Sequence, residues 1–246
     1  MTSDHASKQG GVFCSIVIPC YNEAGNLPRL LSGFSAALKA ADIELILVDN
    51  GSTDGTADLL RSAGADFPFF RAVTCERNLG YGGGILAGLR TAKGRCAGWT
   101  HGDMQYAPAE VLAAAESLRP FLSEKIFLKG LRGNRAAGDR FFTAGMALFA
   151  SLSLGLRLED INAQPTFFTR SLCEGWTDPP ADFSLDLYAY ADALARGYRL
   201  IRRRVPLERR RHGSSSWNRG FADRLRLCGR MAGAIFKIRK NLERDA

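Results

Sequence analysis

Residues 101–105, His-Gly-Asp-Met-Gln, have the residue types of a site for a hard divalent cation. A small, apolar run at 96–100 precedes them and predicts a strand, and a helix that starts with a proline is predicted at 108–118. Asp103 therefore follows a strand, with the oxygen donor of Gln105 two residues later, which suits Mg²⁺ or Mn²⁺ that also binds phosphates. The same residues are equally consistent with a polar loop that binds nothing.

Two more polar loops, at 19–23 and 49–54, follow apolar runs in the first half of the chain. The runs at 12–18 and 43–48 are continuous and rich in β-branched side chains, as in buried parallel strands. The other elements predicted here are a helix at 27–41 with Asn26 as N-cap, a helix at 56–63, a strand at 69–74 and a helix at 85–91. Alternating strands and helices predict a parallel sheet with helices on both faces, whose exit loops converge at one ligand-binding edge.

The acidic residues of these loops have two interpretations. Glu23, Asp49 and Asp54 could stabilise turns and helix starts, or they could accept hydrogen bonds from the base or sugar of a nucleotide. The glycine-rich run at 80–84 lacks the spacing and position of a dinucleotide-binding loop, which argues against NAD. Its glycines are better explained by close approach of the backbone to a ligand or to another element.

The second half of the chain is less regular. The predicted elements are a strand at 127–131, a polar turn at 132–135, a helix at 141–156, a polar loop and short strand at 160–168, a helix at 185–196, a strand at 198–205, a basic loop at 207–217 and a final amphipathic, cationic helix. The uncharged run at 141–156 is too short and too rich in Gly, Ser and Thr for a membrane span. It could lie in a membrane interface or in a protein core.

The composition is that of a folded globular protein whose charge is unevenly distributed. The 246 residues are 46% hydrophobic and 24% charged, and the net charge is +8. Residues 196–240 contain fifteen Lys or Arg and two acidic residues, so the rest of the chain carries a net charge of −5. This asymmetry indicates an anionic partner for the C-terminal fifth.

A cationic, amphipathic helix suits an anionic membrane surface, and a merely solvated basic face is the alternative. The chain has no RNP-type aromatic residues and no helix-turn-helix pattern, which argues against nucleic acid as the partner. Six cysteines without a C-x-x-C pair, together with three histidines, argue against a zinc site and a disulfide framework. A reducing cytoplasm is the simplest compartment. Residues 1–11 are polar, show no signal-peptide segment and are expected to be disordered.

Four motifs occur in a fixed order: SIVIPCYNE at 15–23, LVDNGSTDGT at 47–56, RNLGYGGG at 77–84 and GDMQ at 102–105. Together they resemble the inverting family 2 glycosyltransferases of GT-A fold. Within that family, the chain is most similar to the dolichol-phosphate mannosyltransferase-like group. The match continues through KGLR, DINAQPTFF and VPLERRRHGSS, and covers roughly residues 12–217.

The resemblance implies a fold and a set of site residues. The fold is α/β, with a mostly parallel GT-A sheet flanked by helices at 12–217 and a C-terminal amphipathic helical extension at 218–246. Mg²⁺ or Mn²⁺ is the implied cofactor. The implied residues are Pro19, Tyr21, Glu23, Asp49, Asn78, Gly102, Asp103 and Gln105 for the nucleotide sugar, Asp103 and Gln105 for the metal, and Asp103, Arg132, Asp160 and Arg210 for catalysis, where Arg132 and Arg210 meet phosphate charge.

Two positions depart from the family's pattern. Relatives usually have two carboxylates around a small residue, where this chain has His101 before Gly102 and Asp103, so metal binding rests more heavily on Asp103. Relatives often have a lysine where this chain has Ser216, which leaves phosphate contacts in that loop to residues 209–212.

These features predict a cytoplasmic enzyme, peripheral at the inner membrane face, that transfers a sugar from a UDP- or GDP-linked donor to a polyprenyl phosphate. That acceptor is already an anion and needs no general base. Transfer to a hydroxyl of a lipid-linked or surface polysaccharide precursor is the alternative, and it requires a base such as Glu159 or Asp160. Asp160 could instead fix its own loop. The His101 departure also leaves open a non-catalytic protein that binds nucleotide sugars or nucleic acid.

Overall fold

A seven-stranded sheet organises the chain. The computed structural model describes residues 11–64, 66–67, 69–133, 137–208, 229 and 232–240, without the side chains of 137–142. The strands are β1 (Cys14–Cys20), β2 (Ile43–Asp49), β3 (Phe70–Thr74), β4 (Cys96–Trp99), β5 (Ile126–Arg132), β6 (Thr166–Thr169) and β7 (Arg199–Val205). They lie side by side in the order β3-β2-β1-β4-β6-β5-β7.

Helices connect most of these strands. They are α1 (Leu27–Ala37), α2 (Thr56–Ala63), α3 (Gly80–Leu89), α4 (Pro108–Glu116), α5 (Ala137–Leu154), α6 (Ser171–Glu174) and α7 (Leu185–Ala195), with a 3₁₀ turn at Arg119–Phe121. Residues 232–240 form a further helical segment near the C-terminus.

One strand is reversed within an otherwise parallel sheet. β1 pairs in parallel with β2 and β4, β2 with β3, and β5 with β7. β6 lies between β4 and β5 and is antiparallel to both. The parallel strands therefore end at one common edge, and the predicted mostly parallel sheet is confirmed.

Alternating side chains of the strands build two cores, one on each face of the sheet. Ile16 and Ile18 of β1 point into a core formed with α1 and α4. Val17, between them, points into the opposite core with α3 and α7. Strand side chains alternate with a period of two, so a continuous apolar run such as β1 serves both faces.

Several predicted boundaries differ from the structure. α3 begins at Gly80 rather than at residue 85, so the glycine-rich run is helical rather than a loop before the helix. α1 ends at Ala37 instead of residue 41. Asn26 occupies the N-cap position of α1, but its side chain makes no capping hydrogen bond.

The C-terminal helix at 232–240 packs onto the core that contains α3 and α7. Ile235 and Ile238 are buried there, whereas Phe236 is 73% exposed. Lys237 forms an ion pair of 2.8 Å with Asp178. In the described part of the chain, no helix is long and apolar enough to cross a membrane. Residues 1–10 and the predicted domain boundary at 217/218 lie outside the described residues.

Candidate functional site

Hydrogen bonds join the loops that follow β1 and β2 at the carboxyl edge of the sheet. Asn22 has a φ of 57°, in the left-handed region that Asn tolerates better than most residues. It accepts the Thr53 N–H at 2.8 Å and donates its own N–H to Ser52 Oγ at 3.1 Å. The Glu23 N–H donates to Thr56 Oγ1 at 2.9 Å. Each loop satisfies polar groups of the other, so two sequence motifs form one structural unit.

Buried polar side chains at the end of β2 extend this unit. The Asp49 carboxylate accepts the Ser52 N–H at 3.0 Å and so shapes its own turn. The Asn50 side chain donates to the Gly80 carbonyl oxygen at 2.9 Å and to Asn78 Oδ1 at 3.3 Å. The loop before α3 is therefore attached to the loop after β2.

The residues predicted to hold the nucleotide sugar differ in exposure along this edge. Tyr21 is 43% exposed, Pro19 and Glu23 are half-buried, and Asp49 is buried. Glu23 accepts a hydrogen bond from the Asn26 side chain at 2.5 Å. The structure brings all four into one region, and their role in binding stays a prediction.

Asp54 stabilises the start of α2. Its carboxylate accepts the N–H groups of Thr56 at 2.9 Å and Ala24 at 3.2 Å. Burial acts to raise the pKa of Asp54, but these hydrogen bonds outweigh it and hold that pKa below its usual value. Of the two interpretations of this residue, the geometry matches the turn-stabilising one.

The glycine-rich start of α3 lies against the segment at 180–182. A Cβ at Gly82 would lie 2.6 Å from the carbonyl oxygens of Pro180 and Asp182, and the Gly83 N–H donates to the Ala181 carbonyl oxygen at 2.8 Å. The glycines therefore permit close approach of another part of the backbone, one of the two predicted explanations.

Asp103 lies in the loop that follows β4, at the same edge of the sheet. It is 6% exposed and accepts the Gln105 N–H at 3.1 Å, across Met104, whose φ is 60°. A Cβ at Gly102 would lie 3.4 Å from the carbonyl oxygen of Pro19. The structure thus packs the predicted metal loop against the first of the predicted nucleotide loops.

The His101 ring contacts the rings of two tyrosines. Its ring centroid is 5.5 Å from that of Tyr81 and 6.1 Å from that of Tyr106. Tyr81 also stacks on Phe183 at 4.2 Å. The residue that replaces a carboxylate of the family's pattern therefore belongs to a series of four aromatic rings, each in contact with the next.

Tyr81 joins these rings to a largely buried polar network. We call it the Asp186 network, formed by Tyr81, Lys129, Gln164, Thr166 and Asp186. The Asp186 carboxylate accepts hydrogen bonds from Lys129 Nζ at 2.8 Å, from Gln164 Nε2 at 2.8 Å and from the Tyr81 hydroxyl at 3.1 Å. Lys129 Nζ also donates to Thr166 Oγ1 at 2.7 Å. The Lys129 and Asp186 side chains are 0% and 1% exposed.

Burial changes the acidity of these groups. It lowers the pKa of Lys129, an effect that Asp186 opposes. Burial raises the pKa of Tyr81 well above its usual value, and the negative charge of Asp186 adds to this. Burial also raises the pKa of Tyr106 to about 12. Both hydroxyls are therefore neutral donors or acceptors across the physiological pH range.

No prediction from the sequence concerned Lys129 or Asp186 individually. The available signal was a single charge within the apolar strand IFLKGL and another within the apolar helix LDLYAYA. A charge in such a run requires a partner because a lone buried charge is very unfavourable. The sequence does not reveal which distant residue that partner is.

Arg132 and Asp160, both predicted to be catalytic, form an ion pair at the end of β5. Asp160 accepts the Arg132 backbone N–H and Nε at 2.8 Å each, and Arg132 Nη2 makes a further close contact. The φ of Asp160 is 46°, which places it in the left-handed region. The pair is mostly buried.

The described residues do not include most of the basic loop after β7. The predicted residues left out are Arg210, the other basic residues at 209–212, and Ser216.

The donor set at the Asp103 loop suits a divalent cation that is bound largely by its substrate. Among the described residues, no three His, Cys, Asp or Glu side chains lie close enough together to hold a metal ion. Asp103 supplies one carboxylate, and His101 and Gln105 lie in the same loop. Mg²⁺ sites commonly use one or two carboxylates plus substrate phosphates, so these residues fit a cation that binds together with a diphosphate.

Residues 15–120 match the model of the family described as Glycosyl transferase family 2. The resemblance inferred from the motifs is confirmed over this range. Two similar curated proteins are undecaprenyl-phosphate 4-deoxy-4-formamido-L-arabinose transferases. The one from Pseudomonas fluorescens is 35% identical over 167 residues, 65% of this chain and 48% of that protein. The one from Aeromonas hydrophila is 40% identical over 106 residues, 42% of this chain and 32% of that protein. This chain thus spans less than half the length of either relative.

Two solved structures share the fold at low sequence identity. Glucosyl-3-phosphoglycerate synthase from Mycobacterium tuberculosis, in complex with Mn²⁺, UDP and glucosyl-3-phosphoglycerate, has a TM-score of 0.69 and 19% identity, covering 93% of this chain and 80% of that chain. A mannosyltransferase from Pyrobaculum calidifontis, in complex with GDP-Man and Mn²⁺, has a TM-score of 0.61 and 20% identity, covering 85% and 58%. The predicted GT-A fold is confirmed.

Proposed function

Because residues 15–120 carry a glycosyl transferase family 2 domain, we propose that this protein is an inverting transferase that moves a sugar from a UDP- or GDP-linked donor to a polyprenyl phosphate. One observation carries the proposal. The three loops with the family's nucleotide motifs are hydrogen-bonded to one another, and the loop with Asp103 packs against the first of them. The carboxyl edge of a parallel sheet is where such folds bind ligands.

The donor would lie across these joined loops. Pro19, Tyr21, Glu23, Asp49 and Asn78 would contact its nucleotide, and Gly102 would let the backbone approach its diphosphate. Asp103 and Gln105 would hold Mg²⁺ or Mn²⁺, which neutralises the charge that develops on the leaving diphosphate. Relatives of the same fold bind Mn²⁺ with UDP or with GDP-Man, which supports this assignment.

The reaction is a single displacement at the anomeric carbon. An oxygen of the acceptor phosphate attacks that carbon from the face opposite the diphosphate, the bond from the carbon to the diphosphate oxygen breaks, and the configuration inverts. Because the attacking oxygen is already an anion, no side chain has to remove a proton. The nucleoside diphosphate leaves with the electron pair of the broken bond.

The acceptor phosphate would meet the basic side chains near the ends of β5 and β7. Arg132 is held there by Asp160, and the predicted contribution of Arg210 comes from the following loop. Because Asp160 already accepts several N–H groups of Arg132, its geometry favours holding that arginine over acting as a general base. This observation argues against Asp160 as the general base that a hydroxyl acceptor would require.

A membrane surface is the proposed location of that acceptor. Leu148, Phe149 and Leu152 of α5 are 61%, 46% and 77% exposed, and Phe236 on the helix at 232–240 is 73% exposed. Basic side chains at 237–240 are exposed beside Phe236. Exposed apolar residues with neighbouring cations suit an anionic lipid interface. We therefore place the protein at the cytoplasmic, inner face of a membrane, attached peripherally through these helices.

The experiment that tests this function is a transfer assay. Purified protein is incubated with UDP- and GDP-sugars, Mg²⁺ or Mn²⁺ and a short polyprenyl phosphate, and the lipid product is measured. The variant Asp103→Ala is expected to lose transfer by about 100-fold or more. Asp58→Ala is the matched control, because Asp58 is 79% exposed and pairs with Arg61 on the surface of α2.

Each outcome of that assay has a defined meaning. Lipid-linked sugar formed by the wild type and lost in Asp103→Ala supports the donor, the reaction class and the role of Asp103. Transfer to a hydroxyl acceptor, with polyprenyl phosphate left unmodified, would overturn the proposed acceptor. Absence of metal-dependent binding of any UDP- or GDP-sugar would overturn the donor site.

A further inference from the structure

We propose that Asp186, with Lys129 as its counter-ion, is a positioning residue that fixes the loop at 101–105 for metal and donor binding. It would act through Tyr81, Gln164 and Tyr106, and none of these residues belongs to the predicted site. The effect on transfer rests on the proposed function. The effect on the loop itself does not depend on that function.

Asp186 connects three separate elements to one carboxylate. Lys129 comes from β5, Tyr81 from α3, and Gln164 from the segment before β6. All three donate to Asp186 within 3.1 Å, and Gln164 Nε2 also donates to the Tyr81 hydroxyl at 3.1 Å. A carboxylate that is 1% exposed and accepts several donors holds them in one geometry, because each donor would lose its partner by moving.

Two tyrosines connect the Asp186 network to His101. The Tyr81 hydroxyl is bound to Asp186, and the Tyr106 hydroxyl accepts the Gln164 backbone N–H at 3.2 Å. Both rings therefore have fixed polar ends, and the His101 ring contacts each of them. His101 is two residues before Asp103, so restraint of its ring restrains the start of the predicted metal loop.

The arrangement is not what stability alone would favour. Replacing a buried ion pair by apolar side chains of similar size is often neutral or stabilising. Gln164 also leaves its Oε1 buried without a hydrogen-bond partner in the described part of the chain. A polar network with an unsatisfied member is less favourable than an apolar core, which argues for a role in fixing geometry.

Tyr81→Phe tests the link without leaving a charge unpaired, because Asp186 keeps Lys129 and Gln164. We expect metal-dependent binding of UDP or GDP, and the kcat of transfer, to fall about 10- to 100-fold, as for residues that orient metal ligands. Tyr198→Phe is the matched control, since Tyr198 is a buried tyrosine whose hydroxyl bonds Ser171 at 3.0 Å, outside the network. Both variants are expected to melt at similar temperatures.

The double variant Lys129→Met with Asp186→Leu separates positioning from stability. If the network had no positioning role, this variant would keep its nucleotide affinity, because apolar replacement of a buried ion pair is often neutral for stability and leaves the rest of the fold intact. We expect it to melt close to the wild type and to bind nucleotide at least 10-fold more weakly. Wild-type affinity and kcat in a folded double variant would overturn the proposal.

A readout from His101 itself distinguishes failure of this proposal from failure of the proposed function. The chain has three histidines, so the imidazole resonances of His101 can be assigned by comparison with a His101→Asn variant. We expect Tyr81→Phe to shift or broaden these resonances without nucleotide or metal, and Tyr198→Phe to leave them unchanged. Unchanged resonances in Tyr81→Phe would contradict positioning even if transfer is observed. Changed resonances in a protein without transfer would support positioning and contradict the transferase assignment.

Discussion

Two regions of the molecule hold their functional loops by different means. In the first region, residues 12–125, the loops are joined mainly by neutral side chains and backbone groups, as Asn22 and Asn50 show. In the second region, residues 126–208, separate segments are held together by buried ion pairs. These are the Lys129–Asp186 and Arg132–Asp160 pairs. A neutral hydrogen bond leaves a modest penalty when one partner is lost, whereas a buried charge left alone is costly.

The difference follows from the charges that each region is proposed to handle. The first region is proposed to bind a nucleotide by many small polar contacts, which hydrogen-bonding loops supply. The second region is proposed to present Arg132 to phosphate, and a cation in a partly buried site requires a carboxylate to hold it when phosphate is absent. Single substitutions should therefore have larger effects in the second region than in the first.

The largest effect is expected when Lys129 alone is replaced. Lys129→Met leaves Asp186 buried without its counter-ion, and the free energy of unfolding is expected to fall by about 3–5 kcal/mol. Urea denaturation measures this change. The control is Arg61→Met, which breaks an ion pair whose side chains are 76% and 79% exposed, and a loss of about 1 kcal/mol or less is expected. Equal losses in the two variants would remove the contrast between buried charge and surface charge.

The next effect concerns the contact between the two regions. Gly82→Ala places a Cβ 2.6 Å from two carbonyl oxygens of the segment at 180–182, so the backbone must shift. We expect the free energy of unfolding to fall by about 1–3 kcal/mol, although alanine favours a helix. The control is Gly145→Ala in α5, where a Cβ meets nothing within 4 Å and a gain of up to about 1 kcal/mol is expected. A stabilising Gly82→Ala would show that the segment at 180–182 is free to move.

A smaller effect is expected within the neutral loops of the first region. Asn50→Ala removes the acceptor of the Leu79 N–H, at 3.1 Å, and the donor to the Gly80 carbonyl oxygen. We expect a loss of about 1–2 kcal/mol, because two backbone groups lose their partners. Ser32→Ala, which removes an exposed hydrogen bond within α1, should change stability by about 0.5 kcal/mol or less. A loss above that of Lys129→Met would reverse the proposed ranking of the two regions.

The contrast between the two regions also explains which structural features could be predicted from the sequence. In the first region, apolar runs bounded by polar loops predicted the ends of β1 and β2 to within two residues. The predicted bounds of α2 are the observed ones. Each of these elements is specified by its own residues. The start of α3 was missed because glycine disfavours helix locally, and the reason for the glycines is the distant segment at 180–182.

In the second region, the decisive contacts join residues that are far apart in the chain. Lys129 and Asp186 are 57 residues apart, and Arg132 and Asp160 are 28 apart. Periodicity and composition identify charged residues but do not pair them. The reversal of β6 is of the same kind, because its four residues take their direction from pairing with β4 and β5. The order of the motifs was enough to predict that the site residues of the first region lie close together. The Asp186 network could be recognised only from the folded structure.

The smallest predicted effect tests whether the contrast depends on burial rather than on charge itself. Asp42 accepts a bidentate ion pair from Arg119 at 2.7 and 3.0 Å, but its side chain is 40% exposed. The hydrogen bond from Arg119 holds the pKa of Asp42 below its usual value of 3.8. After solvent screening, Asp42→Asn should lower the free energy of unfolding by less than about 1 kcal/mol at pH 7.

Because the folded-state pKa of Asp42 is lowered, its carboxylate stabilises the fold above the unfolded-state pKa and loses that contribution as pH falls through the folded-state pKa. The difference between wild type and Asp42→Asn should therefore be constant from pH 7 to about pH 5 and should shrink below about pH 4. Urea denaturation of both proteins across this range measures it. A difference as large as that of Lys129→Met would show that charge pairing, whether buried or exposed, sets the cost, and burial would no longer explain why the two regions differ.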